Sequence, residues 1–235
     1  MLHIDLYAEI TCPWCFVGLH RLDKVLQEHF CDVRVAIRHR PVVLLPDAPA
    51  TGLYIPELLH SRYGVTDPKT AFARPEAAAR ASGFGLELSR QLWTYPTQPA
   101  HALILAAAER GTQHQLAIAI TDAYFLDARN IGDVDVLADV AVHHGFDRQE
   151  ARAVTLDPAA RKQVEEEVAT GAAAGIRSVP HFDFGSGVAI SGGRSEEEIA
   201  AAVREAIYRR ASGRPHSARR TLHPTSTSRA LHGGR

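Results

Sequence analysis

The sequence predicts an α/β protein whose sheet is interrupted by a long helical stretch. Three observations carry this: a β-α-β opening with a Cys-x-x-Cys pair at its first strand-to-helix junction, helix signals with almost no strand from residue 49 to 172, and a closing β-hairpin followed by a capped helix.

The opening is read from a change of period. Leu2, Ile4, Leu6 and Ala8 alternate with polar residues, as a half-buried strand does. Pro13 breaks that pattern, and Phe16, Leu19, Leu22, Val25 and Leu26 then recur at helical spacing to about Phe30. Alternation resumes from Asp32 to His39 through Val33, Val35 and Ile37. A right-handed crossover makes these two strands parallel neighbours.

Past Pro41 the punctuation changes. Pro46, Pro49 and Gly52 mark a loop, and proline-led, glycine-closed segments follow. Helices are expected from Pro75 to Ser82, from Pro99 to Arg110 and from Pro158 to near Gly175, with Asp133 as N-cap of another running to His144. Strand signal returns at Pro180–Phe184, turns through Gly185-Ser186-Gly187 and resumes at Val188–Ser191. Ser195 and Glu198 form a capping box for a last helix whose Ile199, Val203, Ala206 and Ile207 share a face. The expected division is a discontinuous domain of residues 1–48 and 173–211, an inserted helical domain of residues 49–172, and a basic tail over 212–235. With five arginines, three histidines and no acids, that tail buries too little apolar surface to order itself.

With 235 residues, 46% of them hydrophobic, the chain can bury one good-sized core or two modest ones. A net charge of −1 gives no global field for nucleic acid or an anionic membrane, so neither is expected as a partner. The N-terminal segment His3–Ile10 carries acids and no basic lead, unlike a secretory signal, and no apolar run is long enough to span a bilayer. A soluble cytoplasmic protein is the expectation.

Three cysteines are too few for a disulfide scaffold, and two of them stand three apart, which points to chemistry. Cys12 and Cys15 share one helix face and can bring their sulfurs to bonding distance. Cys12 falls at the helix start, where free N–H groups and the macrodipole favour a thiolate, and Pro13 suits the first helical position. Cys12 is therefore the candidate nucleophile, and Cys15, between Trp14 and Phe16, the more buried resolving thiol. A zinc site would need a fourth ligand and more than Cys31 to complete it, and c-type haem attachment would need a histidine at Phe16, so no metal site is expected. Downstream, Val179-Pro180 opens the hairpin, and a proline there suits either a trans edge start or a cis bond.

Cys12-Pro13-Trp14-Cys15-Phe16-Val17-Gly18, Tyr95-Pro96 before Ala100-His101, Ala123-Tyr124-Phe125 before Arg129-Asn130-Ile131, and Val179-Pro180 with Ser191-Gly192 together resemble the DsbA family, and most closely its FrnE-like cytoplasmic subfamily, over residues 2 to 210. The resemblance implies a thioredoxin-like fold interrupted by an inserted all-α domain, a dithiol Cys12–Cys15 facing a cis-Pro180 loop, and Val179 offering its backbone to an extended substrate. It implies no tightly bound cofactor and disulfide-containing proteins or small molecules as partners, and it leaves glutathione open as a co-substrate. A homodimer is left open. Thr97 and the pair His181-Phe182 depart from the family pattern at positions taken here to face substrate. A related branch, the 2-hydroxychromene-2-carboxylate isomerases and kappa-class glutathione transferases, shares the architecture but uses serine first. It supplies the alternative function: glutathione-dependent isomerisation or transfer on a small aromatic or polyketide-like molecule.

Other residues are weighed individually. Trp14, His181 and His101 are candidates to line the substrate groove beside Val179, and a protonated His181 would favour a thiolate. Asp5 and Glu9 precede the dithiol and are candidates to take the proton of Cys15, Asp5 being preferred as a mid-strand acid. Cys31 reads as a buried or incidental thiol.

Overall fold

The computed structural model describes residues 1–212. The expectation for the tail falls, from residue 213 onward, outside the described residues. Strand β1 (Leu2–Ala8), helix α1 (Pro13–His29) and strand β2 (Val35–Pro41) form the opening unit. β1 and β2 are parallel, with Leu2 opposite Val35 and Ala8 opposite Pro41. That register carries β2 two residues past the expected end at His39, because the whole length of β1 needs a partner.

A long segment follows: β3 (Leu53–Tyr54), α2 (Ile55–Tyr63), α3 (Pro68–Ala81), β4 (Trp93–Thr94), α4 (Gln98–Ala106), α5 (Gln113–Phe125), α6 (Val134–Ala141), α7 (Arg148–Leu156) and α8 (Pro158–Ala173). It is helical apart from the two-residue antiparallel ladder of β3 and β4. Helix α3 starts earlier than Pro75 suggests. The Asp67 side chain accepts from Lys69 N–H as N-cap, and Pro75 lies inside the helix rather than at its head. The chain closes with β5 (His181–Asp183), β6 (Ala189–Ser191) and α9 (Glu196–Ala211), whose expected Ser195–Glu198 capping box is present.

The sheet order β2-β1-β5-β6, with β5 antiparallel to β1 and β6 to β5, is the thioredoxin-like arrangement. Two apolar cores share the interior. One packs Ile4 and Leu6 of β1 against Leu19 and Leu22 of α1 and Ile199 and Val203 of α9. The other gathers the middle helices around Leu103, Leu116, Ile120 and Leu137. Helix α1 belongs to both, since Cys15 and Leu19 face the sheet core while Phe16 and Val17 face the helical one. Its first turn is thus held at the seam.

Polar ties fix α1 there. Arg21 donates from Nε to Ser82 Oγ at 2.7 Å, from Nη2 to Ala78 O at 2.9 Å and from Nη1 to Arg194 O at 2.7 Å. One buried guanidinium thereby joins α1 to the end of α3 and to the entry of α9, each bond charge-assisted.

Candidate active site

Cys12 is the N-cap of α1, with Pro13 in its first turn. The Cys12 carbonyl accepts from Cys15 N–H at 2.9 Å and Phe16 N–H at 3.1 Å, which closes the first turn and sets both thiols on one side. Both are free, Cys12 half-buried and Cys15 only 1% exposed.

Their proton affinities are pushed apart. Cys12 is held below the ordinary thiol value chiefly by the hydrogen bond it receives from the Cys15 thiol, which outweighs its own burial, and the N–H groups of Cys15 and Trp14 add to the effect. Cys15 is driven well above that value, first by burial and then by Cys12. One helical turn thus holds an outer sulfur suited to nucleophilic attack and an inner one that keeps its proton.

The loop before β5 faces this turn. The Val179–Pro180 peptide bond is cis, and a Cβ on Gly18 would stand 2.8 Å from Pro180 Cγ and 3.1 Å from Phe182 Cζ. Gly18 is therefore what lets the proline ring reach α1. Pro180 O accepts from Gly192 N–H at 2.8 Å, tying the loop to the end of β6. Trp14 lies against the Gly193 backbone, where a Cβ would meet its ring at 2.3 Å. His181 pairs with Ser191 through Nδ1 and Oγ at 2.6 Å and stands edge-on to Tyr7.

Behind the dithiol stands one of the two candidate acids, and the other lies elsewhere. Of the two candidate acids, Asp5 turns away: its carboxylate takes a bidentate bond from Arg38, at 2.8 and 3.1 Å, on the other face of the sheet. Side chains alternate along a strand, so Asp5 cannot share the face of Leu6 and Ala8. Glu9, just past the strand end, is 1% exposed and accepts from Leu44 N–H at 2.8 Å and from Thr97 Oγ at 3.3 Å. His101 Nε2 lies 3.6 Å from Glu9 Oε1. His101, expected in the substrate groove, is 5% exposed and belongs to the interior, and Thr97, expected on the substrate face, is buried at 3%. Both sit at the start of α4, which inserts under the dithiol rather than over it. Cys31, in turn, is exposed rather than buried.

Glu9, Cys15, His39, Arg40, His101 and Thr121 line an internal cavity of ≈ 10 Å³. His39 escaped the sequence reading. The signal was present in the register, because a strand position opposite Leu6 must face the same side.

A helix-capped dithiol opposed by a cis-proline loop, on this sheet order, defines a protein of the thioredoxin-fold class. The chain belongs to the DSBA-like thioredoxin domain family, whose pattern it matches over residues 3–204. It is 25% identical over 192 residues to the uncharacterized protein YwbO of Bacillus subtilis, covering 80% of this chain and 88% of that one. Among solved structures, a probable DsbA oxidoreductase, SCO1869 from Streptomyces coelicolor, superposes with a TM-score of 0.81 at 26% identity over 99% of this chain and 100% of its own. The fold is shared with a 2-hydroxychromene-2-carboxylate isomerase, at TM-score 0.68, 14% identity and 90% and 99% coverage. It is shared too with the cytosolic disulfide reductase DsbM from Pseudomonas aeruginosa with GSH, at TM-score 0.62, 15% identity and 88% and 100% coverage.

Proposed function

We propose that this protein, a DsbA-like thiol oxidoreductase of the FrnE-like branch, exchanges its Cys12–Cys15 dithiol with disulfides of proteins or small molecules. The observation that carries the reading is the pair of free thiols in the first turn of α1, Cys12 half-buried and Cys15 sealed, with the cis Val179–Pro180 loop packed against the same helix at Gly18. Thiolate Cys12 attacks one sulfur of the substrate disulfide, the other sulfur leaves as a thiolate and takes a proton, and a mixed disulfide remains. Cys15 then gives up its proton on the Glu9 side and attacks Cys12 Sγ. The second substrate sulfur leaves, so two electrons have passed to the substrate and Cys12–Cys15 is oxidised. Val179 and Pro180 supply an extended edge for the substrate backbone beside Trp14, with His181 at the hairpin.

Reduction is the direction suited to a cytoplasmic setting, with a glutathione-type thiol restoring the dithiol. The glutathione in the DsbM structure supports that choice of partner. Reduction of a disulfide protein is expected from the wild type and not from Cys12→Ser, and Cys15→Ser is expected to stall as a mixed disulfide. Equal activity of wild type and Cys12→Ser sinks the reading. The isomerase alternative shares the fold, and turnover of an aromatic substrate with glutathione that survives Cys15→Ser would establish it instead.

A further inference from the structure

The resolving thiol has a proton problem that the front of the site does not solve. Cys15 is enclosed, and its proton must leave before its sulfur can attack, through a region that water does not freely enter. Glu9 lines the same cavity, but it too is buried, and the proton that leaves Cys15 on oxidation and returns when Cys15 is reduced again needs a route between this pocket and solvent.

A line of titratable side chains leads out of the cavity that Cys15 and Glu9 share. His39 lines that cavity on its β2 side. Its Nε2 lies 2.8 Å from His114 Nδ1 on α5, and His114 Nε2 lies 2.6 Å from Asp23 Oδ1 on α1. Exposure rises along the line: His39 is 6% exposed, while the side chains of His114 and Asp23 are 16% and 26% exposed. The hydrogen bonds also have one consistent sense. Asp23 is an acceptor, so His114 donates from Nε2 and accepts at Nδ1, and His39 donates from Nε2 and keeps Nδ1 as acceptor. A proton received at His39 Nδ1 therefore releases one from Nε2 to His114, which releases one to Asp23 at the surface.

The inner end is equally specific. His101 Nε2, on a residue lining the cavity, has no hydrogen-bond partner among the described residues and lies 3.6 Å from Glu9 Oε1. A space of this size holds about one water, and such a water needs two to four polar partners, which Glu9, His101 and His39 provide.

We propose that His39, His114 and Asp23 form a proton exit path that drains the Cys15–Glu9 cavity to the surface, with one bridging water inside. This rests on the dithiol exchange proposed above. When Cys15 resolves the mixed disulfide its proton passes by way of Glu9 and the water to His39 and emerges at Asp23, and when a thiol restores the dithiol a proton returns to Cys15 along the same path. No electron moves along the path. Its surroundings suit a neutral relay: burial first, then His114 and His101, hold the His39 imidazole well below its ordinary value. The groups facing His39 are Glu9 from the β1 end, Cys15 from α1, His101 from α4, and His114 and Gln113 from α5, while Arg40, next along β2, turns to the other face of the sheet against Asp5 and Glu167.

The test is single-turnover reaction of the reduced protein with an aromatic disulfide that releases a coloured thiolate. The first release reports attack by Cys12 and the second reports resolution by Cys15. In His114→Gln the second release is expected to slow about tenfold at neutral pH, a fraction of the ~10²–10⁴-fold contribution of a directly acting acid or base. It should also gain a rise with pH, as hydroxide takes over the proton, while the first release and the thermal midpoint stay unchanged. Asp23→Asn should act the same way, more weakly. A second release indistinguishable from wild type at every pH, in both His114→Gln and Asp23→Asn, overturns the proposal. His39→Gln is a third variant where it folds, and the partly exposed His114 and Asp23 carry the test without it. Failure of the underlying reading looks different: the wild type itself then shows no second release.

Discussion

The two sides of the dithiol are built from different materials. The front, where Cys12 is half-exposed, consists of backbone and apolar surface: the cis Val179–Pro180 loop, the Trp14 ring against Gly193, and Gly18 giving the proline room. The back, where Cys15 is sealed, sets titratable groups among apolar ones: Glu9, His101 and His39 line its cavity, and His114 and Asp23 follow further out. The difference teaches a division of labour. Backbone and apolar surface accept many extended partners with little selection, whereas proton traffic needs a few groups at fixed distances.

The sharpest way to break this comparison is Glu9→Gln. The amide keeps the shape and can still accept from Leu44 N–H, yet it takes no proton. Resolution by Cys15 should fall about 10²-fold, while alkylation of Cys12 stays near the wild-type rate. If both steps slow equally, the two sides are not separate.

Gly18→Ala probes the front in the same manner. The new methyl would stand 2.8 Å from a stiff proline ring, so the loop must retreat. Overpacking of this kind costs about 1–3 kcal/mol, read by chemical denaturation. Attack by Cys12 on a disulfide should weaken with it, and resolution should not.

A third effect is read from stability against pH. The folded state holds His39 well below its ordinary value of 6.5, mainly by burial. The unfolded chain therefore binds the proton first as pH falls, and the folded state loses up to about 1.4 kcal/mol per pH unit below roughly pH 6.5. Unfolding midpoints followed from neutral pH downward should show that slope, and His39→Gln should flatten it.

The smallest effect is expected at Asp5→Asn. Its partner Arg38 is largely exposed, and its second neighbour Arg40, at 3.8 Å, keeps Glu167, so stability should change by about 1 kcal/mol or less. Neither chemical step should move. A slowed resolution there would return to Asp5 the role proposed for Glu9.

Much of this was legible in the chain because the signals are local. Alternation in Leu2–Ala8 set β1, Pro13 after Cys12 set the head of α1, and Ser195 with Glu198 set the cap of α9. Each is a contact within a few residues, so propensity and spacing suffice. The pairing of Cys12 with Cys15 belongs to the same group, since one helical turn brings them together wherever the helix packs.

What the tertiary structure alone decided is which polar residues stand behind Cys15. Asp5 and Glu9 lie four apart and look alike in sequence. The end of β1 after Ala8 sends one to Arg38 and the other to the interior. Thr97 and His101 reach Glu9 from α4, and His114 reaches His39 from α5, 75 residues away in the chain. No periodicity records such meetings. They depend on the register of β2 against β1 and on how the middle helices pack under the dithiol, and a one-residue slip in that register would turn His39 to the opposite face. The sequence by itself determined that Cys12 and Cys15 share one turn at the head of a helix, because that placement is local. The proton environment of the dithiol was decided only when distant elements packed.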